Sequence, residues 1–174
     1  MVEREESRRL GIAILSIARL PSRSCDVSNS PRETSEAMKK VGVVGIIPRG
    51  KSVLVLRRSP SDSFLPGHYD LPGGGLELGE TPEDGIRREV LEETGLRAVV
   101  VRSLGTRGYV LSDSGKKDKA LVVSLLRTTT RRLRLSKEHD EYRWVSESSL
   151  REVFGKRDLM GVILSDYFSS GYHQ

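Results

Sequence analysis

The sequence predicts an α/β domain in which a mixed β-sheet is packed between helices. Short β-branched, apolar runs recur along the chain, as at residues 41–47 and 52–58. One well-marked helix candidate lies in the middle of these strand candidates, and residues 158–168 are apolar enough to pack as a terminal helix. Strands that alternate with one central and one terminal helix are typical of a sheet covered on both faces.

Composition limits the protein class before any motif is considered. The chain has 174 residues, of which 36% are hydrophobic, enough for one globular domain. No apolar run approaches the roughly 20 residues that cross a bilayer, so we expect a cytoplasmic protein without a membrane partner. The single cysteine, Cys25, excludes an internal disulfide. A net charge of +5 favours polyanionic partners such as phosphates or nucleic acid.

The first residues differ in composition from the rest. Residues 1–38 combine a charged start, a short apolar stretch and a Ser/Arg/Pro-rich segment. This pattern resembles a secretory signal in outline, but acidic residues crowd its front and no Ala-x-Ala cleavage site follows. We expect a flexible N-terminal extension, with Met38 as an alternative start, and a folded domain over residues 39–174.

The remaining elements follow from β-propensity and turn residues. We expect the strands at 41–47 and 52–58 to pair as a hairpin around Pro48 and Gly50. Residues 59–68 indicate an exposed loop, and the glycines at 73–75 predict an irregular segment. Further strands are expected at 69–71, 98–104, 109–111, 119–127 and 142–145, with a turn at 112–115 and a short helix from Ser146 to Phe154.

The central helix has clear signals at both ends. Thr81 is suited to the N-cap, Pro82 to the first helical position, and Asp84 completes a T-x-x-D capping pattern. Gly95 is suited to ending the helix in the left-handed conformation. The sequence therefore predicts a helix from Pro82 to just before Gly95.

Three carboxylates share one face of this helix. Glu89, Glu92 and Glu93 are spaced three and four residues apart, which brings them together and makes them repel. A hard divalent cation between them would offset the repulsion, because Mg²⁺ takes oxygen ligands and keeps waters for substrate phosphates. The alternative is a solvated acidic face, the commonest fate of Glu-rich helices.

The surrounding residues favour the metal. From Gly74 to Leu96 the chain fits G-x5-E-x7-R-E-U-x-E-E-x-G-U, where U is a bulky aliphatic residue. In this pattern the chain resembles the Nudix hydrolases, and specifically MutT-like members. The resemblance implies an α/β/α sandwich with a mixed sheet, and an enzyme that uses Mg²⁺ or Mn²⁺ to hydrolyse a diphosphate linkage in a nucleoside diphosphate derivative.

The resemblance also implies roles for the box residues. Glu89 and Glu93 would be the principal metal ligands, with Glu92 in the same cluster and the Gly74 carbonyl approaching a metal. The neighbouring glycines, Gly73 and Gly75, make that approach sterically feasible. Arg88 would pair with Glu80 to hold the loop against the helix.

The catalytic base is left open by the sequence. One candidate is Glu89, and the other lies in the acidic segment 138–141, where we expect Glu141 rather than Glu138 because it borders the strand of Trp144. His139 is expected to sit on a surface loop. The resemblance implies that Arg57, at a strand end, contacts substrate phosphate, while alternation directs Arg58 to the opposite face.

The substrate is less clearly indicated. The resemblance favours a nucleoside triphosphate, (d)NTP, converted to the monophosphate and pyrophosphate, because no proline occurs in residues 97–128 to mark an ADP-ribose specialist. The alternatives are a dinucleoside polyphosphate, an RNA 5′ end, or nucleotide sensing without hydrolysis. A basic cluster, Arg131, Arg132 and Arg134, favours the RNA alternative, and the oligomeric state is open, a homodimer included.

Overall fold

The structure is a computed structural model that describes residues 41–110, 118–156 and 158–172. The predicted N-terminal extension over residues 1–38, the alternative start at Met38 and the predicted turn at 112–115 lie outside the described residues.

Eight strands and three helices follow one another along the described chain. They are β1 (Val41–Ile46), β2 (Pro48–Arg49), β3 (Ser52–Arg58), β4 (Tyr69–Asp70), β5 (Gly73–Gly75), α1 (Pro82–Thr94), β6 (Ala98–Val110), β7 (Asp118–Thr128), β8 (His139–Ser146), α2 (Leu150–Val153) and α3 (Leu159–Ser169). None of these helices is long and apolar enough to span a bilayer.

The predicted mixed sheet is confirmed. Its strand order is β5-β1-β7-β6, with β1 parallel to β7 and the other neighbours antiparallel. A second, antiparallel sheet is built around β3, which pairs with β2, β4 and β8. Strand β3 therefore lies between β4, which precedes the acidic helix in the chain, and β8, which begins at residue 139.

The predicted hairpin between the first two long strands is wrong. Strand β1 pairs with β5 and β7, whereas β3 belongs to the other sheet. The chain changes sheets near Ile47, so the turn at residues 50–51 joins β3 to the short strand β2 instead. Four of the six residues of β1 are buried, as expected of a strand in the middle of a sheet rather than in an isolated hairpin.

The glycine run is a strand and not the irregular segment that its composition predicts. Gly73 lies opposite Val44 and Gly75 opposite Gly42 in an antiparallel ladder. A Cβ atom on Gly73 would overlap the carbonyl oxygen of Val43, so the missing side chain is what allows the two strands to come this close. The strands predicted at 98–104 and 109–111 are likewise one strand, β6, bent by irregularities in its register with β7.

Helices cover both faces of the sheets, which confirms the predicted α/β/α sandwich. Ile86 and Val90 of α1 pack with Leu54 and Leu56 of β3 in one core. On the other side of β3 a second core contains Val53, Val55 and the buried face of α3. Because side chains alternate along a strand, the single strand β3 contributes to both cores.

The predicted ends of the acidic helix are confirmed. Helix α1 begins at Pro82, and the Thr81 hydroxyl oxygen accepts a hydrogen bond from the Asp84 N–H. At the other end Gly95 has a φ of 66° and its N–H donates to the Leu91 carbonyl. These local signals therefore determine where α1 begins and ends.

Candidate active site

The glycine strand β5 packs directly against the acidic face of α1. The Gly73 N–H donates to Glu93 Oε2 at 2.9 Å. A Cβ atom on Gly74 would lie 2.6 Å from Glu89 Cδ, which is closer than atoms can approach. The absence of a side chain at Gly74 therefore lets the Glu89 carboxylate rest against the backbone of β5.

Arg88 ties the loop before α1 to the helix, as the resemblance implied. Its guanidinium donates from Nε and Nη2 to the two carboxylate oxygens of Glu80, at 2.9 and 3.0 Å. Nη2 also donates to the Gly75 carbonyl at 3.0 Å. The Arg88 hydrogen bond lowers the pKa of Glu80, and that of Arg88 is raised in return. This paired fork geometry fixes the loop more firmly than one bond could.

The same guanidinium offsets part of the repulsion between the helix carboxylates. Arg88 Nη1 donates to Glu89 Oε1 at 2.9 Å and to Glu92 Oε2 at 3.2 Å. The Glu92 side chain is 60% exposed, whereas that of Glu89 is only 14% exposed. Glu92 therefore faces solvent at the edge of the cluster, and Glu89 lies inside it.

Glu93 is the most deeply buried acid of the cluster. Its residue is 4% exposed, and burial raises its pKa to about 9, with further increases from Glu89 and Asp70. The Gly73 N–H and the charge of Arg58 act in the opposite direction. Burial likewise raises the pKa of Glu89. A cation bound next to Glu89 and Glu93 would lower these raised pKa values, because a nearby positive charge stabilises the ionised carboxylates.

The residues present fit a divalent cation such as Mg²⁺. The donors that the structure brings together are carboxylate oxygens, the ligand type that Mg²⁺ prefers. Within the described ranges no three His, Cys, Asp or Glu side chains converge as a ready-made cage. Such a cage is not expected for Mg²⁺, which is usually held by one or two carboxylates together with waters and substrate phosphates. Glu89 and Glu93 meet that requirement, with Glu92 at the rim.

His139 does not lie on a surface loop, as the sequence had suggested. It is the first residue of β8, is 5% exposed, and places Nε2 3.9 Å from Glu93 Oε1. The strand starts with the polar run His139-Asp140-Glu141. Because this run has no hydrophobic residue, the sequence gives no sign that His139 is buried. Desolvation lowers the pKa of His139 to about 4, so the imidazole is neutral near pH 7.

Glu141 is not brought to the acidic cluster. Its carboxylate accepts hydrogen bonds from the Tyr69 hydroxyl at 3.0 Å and from Arg143 Nε at 2.6 Å, and it pairs with Arg57. Glu138, in contrast, is among the charges that raise the pKa of Glu89. The geometry therefore does not support the preference for Glu141 over Glu138 as the second candidate base.

The two neighbouring arginines at the end of β3 have different surroundings, as alternation predicts. Arg57 donates to both carboxylate oxygens of Asp140, at 2.8 and 2.9 Å. Arg58 donates to Asp62 at 2.9 Å, and its charge lowers the pKa of both Glu93 and His139. Of these two arginines, Arg58 is the one whose charge acts on Glu93, and the predicted contact of Arg57 with substrate phosphate stays a prediction.

Comparisons with known proteins show what the chain is similar to. A sequence model of the NUDIX domain matches residues 38–162. The chain is 43% identical over 66 residues to a MutT-like protein of Streptomyces ambofaciens, covering 37% of this chain and 40% of that protein. It is 38% identical over 56 residues to the 8-oxo-dGTP diphosphatase of Escherichia coli K12, covering 32% and 43%.

Solved structures show the same fold. The MutT protein of Methanosarcina mazei Go1 superposes with a TM-score of 0.58 at 28% identity, covering 75% of this chain and 90% of that one. The matched segments of the two curated relatives are shorter and span about two fifths of each relative's length.

Proposed function

Since the chain belongs to the Nudix family, we propose that it is a Mg²⁺-dependent hydrolase of a diphosphate linkage in nucleoside diphosphate derivatives. Its leading substrate is a nucleoside or deoxynucleoside triphosphate, and the products are the monophosphate and pyrophosphate. One observation carries the proposal: the glycine strand β5 contacts the carboxylates of the buried Glu93 and the partly buried Glu89, with every acid of the family pattern present.

The chemistry explains why so few groups are needed. The phosphorus atoms of a diphosphate are shielded by negative oxygens, so a bound divalent cation supplies charge neutralisation and orientation of the attacking water. Glu89 and Glu93, with Glu92 at the rim, would hold it. Arg88 keeps the loop and helix in register through Glu80, so the carboxylates need little reorganisation.

A carboxylate near the reacting water would accept its proton. Glu89 is suited to this role because burial has already raised its pKa and Arg88 holds it in place. Glu138 is the second candidate, since its charge acts on Glu89. Arg57 pairs with Asp140 and Glu141, so any contact with substrate phosphate would require it to exchange partners.

The triphosphate substrate is supported by the likeness to the 8-oxo-dGTP diphosphatase of Escherichia coli. A panel of nucleotides with Mg²⁺ tests it, scored for pyrophosphate, orthophosphate and monophosphates. Release of pyrophosphate from at least one (d)NTP is expected. Exclusive turnover of dinucleoside polyphosphates or RNA 5′ ends would replace the triphosphate, and tight nucleotide binding without turnover would indicate a sensor.

The metal site is tested by Glu93→Gln, with Glu83→Gln as the matched control on the same helix. Glutamine can still accept the Gly73 N–H, so the fold is expected to persist. Loss of a buried metal ligand costs several kcal/mol of transition-state stabilisation, so kcat/KM should fall about 1,000-fold. Glu83 is exposed in the first turn, and its variant should keep normal activity. Full activity of Glu93→Gln would refute the assignment.

A further inference from the structure

His139 is buried next to Glu93, yet it has no role in the proposed mechanism. Its side chain is 2% exposed, and Nε2 lies 3.9 Å from Glu93 Oε1. Among the residues that the structure describes, Nδ1 has no hydrogen-bond partner. Buried polar groups are usually satisfied, so an imidazole kept here at that cost calls for an explanation.

An irregularity in the strand pairing aims His139 at the acidic cluster. In the β3–β8 ladder, Arg57 lies opposite Glu141, and Arg58 lies opposite His139. Asp140 is therefore an extra residue on β8, as in a β-bulge. In a strand without the bulge, the side chains of residues 139 and 141 would lie on the same face. Glu141 faces the Tyr69 side. Bulges next to active sites characteristically re-aim a side chain in this way.

The two oxygens of Glu93 face different groups. Oε2 accepts the Gly73 N–H, and Oε1 faces His139 Nε2. A neutral imidazole carries one proton. On Nε2 that proton points to a carboxylate oxygen, whereas on Nδ1 it would point to no acceptor in the described chain. The Nε2–H form is therefore favoured.

We propose that His139 is a positioning residue that donates Nε2–H to Glu93 Oε1 and fixes the orientation of this carboxylate for a divalent cation. The 3.9 Å separation is about 1 Å longer than a hydrogen bond, so the proposed contact requires the two groups to come about 1 Å closer. With Gly73 on one oxygen and His139 on the other, the carboxylate plane has a single orientation. This proposal rests on the proposed function, because it assumes that Glu93 binds the metal.

The test measures binding of Mn²⁺ to the full chain by electron paramagnetic resonance of the free ion, without substrate. His139→Met places an apolar side chain of similar size there and removes the donor, and it should weaken Mn²⁺ affinity by about 10- to 100-fold. His139→Gln keeps an N–H group near the Nε2 position and should retain most of the affinity. The exposed His68, changed to Gln, is the control and should bind Mn²⁺ as the unchanged protein does.

Melting of the metal-free variants separates positioning from packing. The proposal expects His139→Met and His139→Gln to melt at similar temperatures but to differ in Mn²⁺ affinity. If both variants bind Mn²⁺ like the unchanged protein, or both lose affinity equally, the positioning role is overturned and the proposed function stands. If the unchanged protein binds no Mn²⁺, the metal site of the proposed function fails and this proposal fails with it.

Discussion

At the scale of single residues, the acids around the site differ in what burial does to them. Glu80 and Asp140 accept hydrogen bonds from arginines, which lower their pKa values. Burial raises the pKa values of Glu93 and Asp70 to about 9 and about 6, although each carboxylate accepts a hydrogen bond from a backbone N–H group. Ionising either acid therefore carries an electrostatic cost, and for Glu93 this cost arises where a cation is expected to bind.

Asp70 gives a prediction for stability as a function of pH. Its pKa is about 6 when folded and 3.8 as the reference, so folding favours the protonated form and the cost grows as pH rises from about 4 to 6. Asp70→Asn removes the charge and keeps an oxygen for the Leu71 N–H. Well above pH 6 the variant should be more stable by about 3 kcal/mol, because each unit of pKa shift corresponds to about 1.4 kcal/mol, and urea unfolding would measure the difference.

Measurement of the same two proteins at low pH is the control for this prediction. Near pH 3.5 the Asp70 side chain is largely protonated in both states, so the two proteins should then have nearly equal free energies of unfolding. A variant that is less stable than the unchanged protein at pH 7 would show that the contact between Asp70 and Arg58, at 3.7 Å, outweighs burial.

At the scale of elements, the contact between β5 and α1 builds the site. Three kinds of interaction hold it: the Gly73 N–H on Glu93, the Arg88 bond to the Gly75 carbonyl, and the close approach of Gly74 to Glu89. The helix ends were predictable because caps act within a few residues of sequence. The strand character of the glycines was not, because it depends on β1, about 30 residues earlier in the chain.

Gly74→Ala tests this contact. The added methyl group would overlap the Glu89 carboxylate and must displace it, because the backbone on the other side is held by the ladder with β1. A displacement of about 1 Å at a reacting group costs on the order of 100-fold in rate, so kcat/KM should fall by about that factor. Steady-state kinetics with the substrate found in the panel would measure it.

Gly108→Ala is the control for that substitution. Gly108 also lies in a strand, β6, and a Cβ atom there would meet nothing within 4 Å. This variant should keep normal activity. Equal activity of the Gly74 and Gly108 variants would mean that Glu89 has room to move without consequence, contrary to the tight contact that the structure shows.

At the scale of the whole molecule, the described chain has two hydrophobic cores with different positions relative to the site. The core between α1 and the sheets lies beneath the acidic face, and the core under α3 lies on the opposite side. Because β3 has side chains in both, each core supports the same strand from a different face. The α3 core is expected to contribute stability without taking part in the chemistry.

Leu164→Ala tests that division. Leu164 is 0% exposed in the α3 core, and its truncation should lower the free energy of unfolding by about 3 kcal/mol. Urea unfolding would measure the loss, with Val101→Ala, at a 57% exposed position, as the small-effect control. At temperatures where the variant is folded, kcat/KM should stay unchanged. A large fall there would mean that α3 also shapes the active site.

The sequence by itself determined the α/β class, the limits of the acidic helix, the face that Glu89, Glu92 and Glu93 share, and the pairing of Arg88 with Glu80. Each depends on residues a few positions apart, or on a pattern with fixed spacing. Only the tertiary structure decided that the glycines form a strand with β1, that His139 is buried beside Glu93, and that Glu141 belongs with Arg57. These outcomes depend on strand partners and one bulge, which are set by contacts between distant parts of the chain and leave no local pattern.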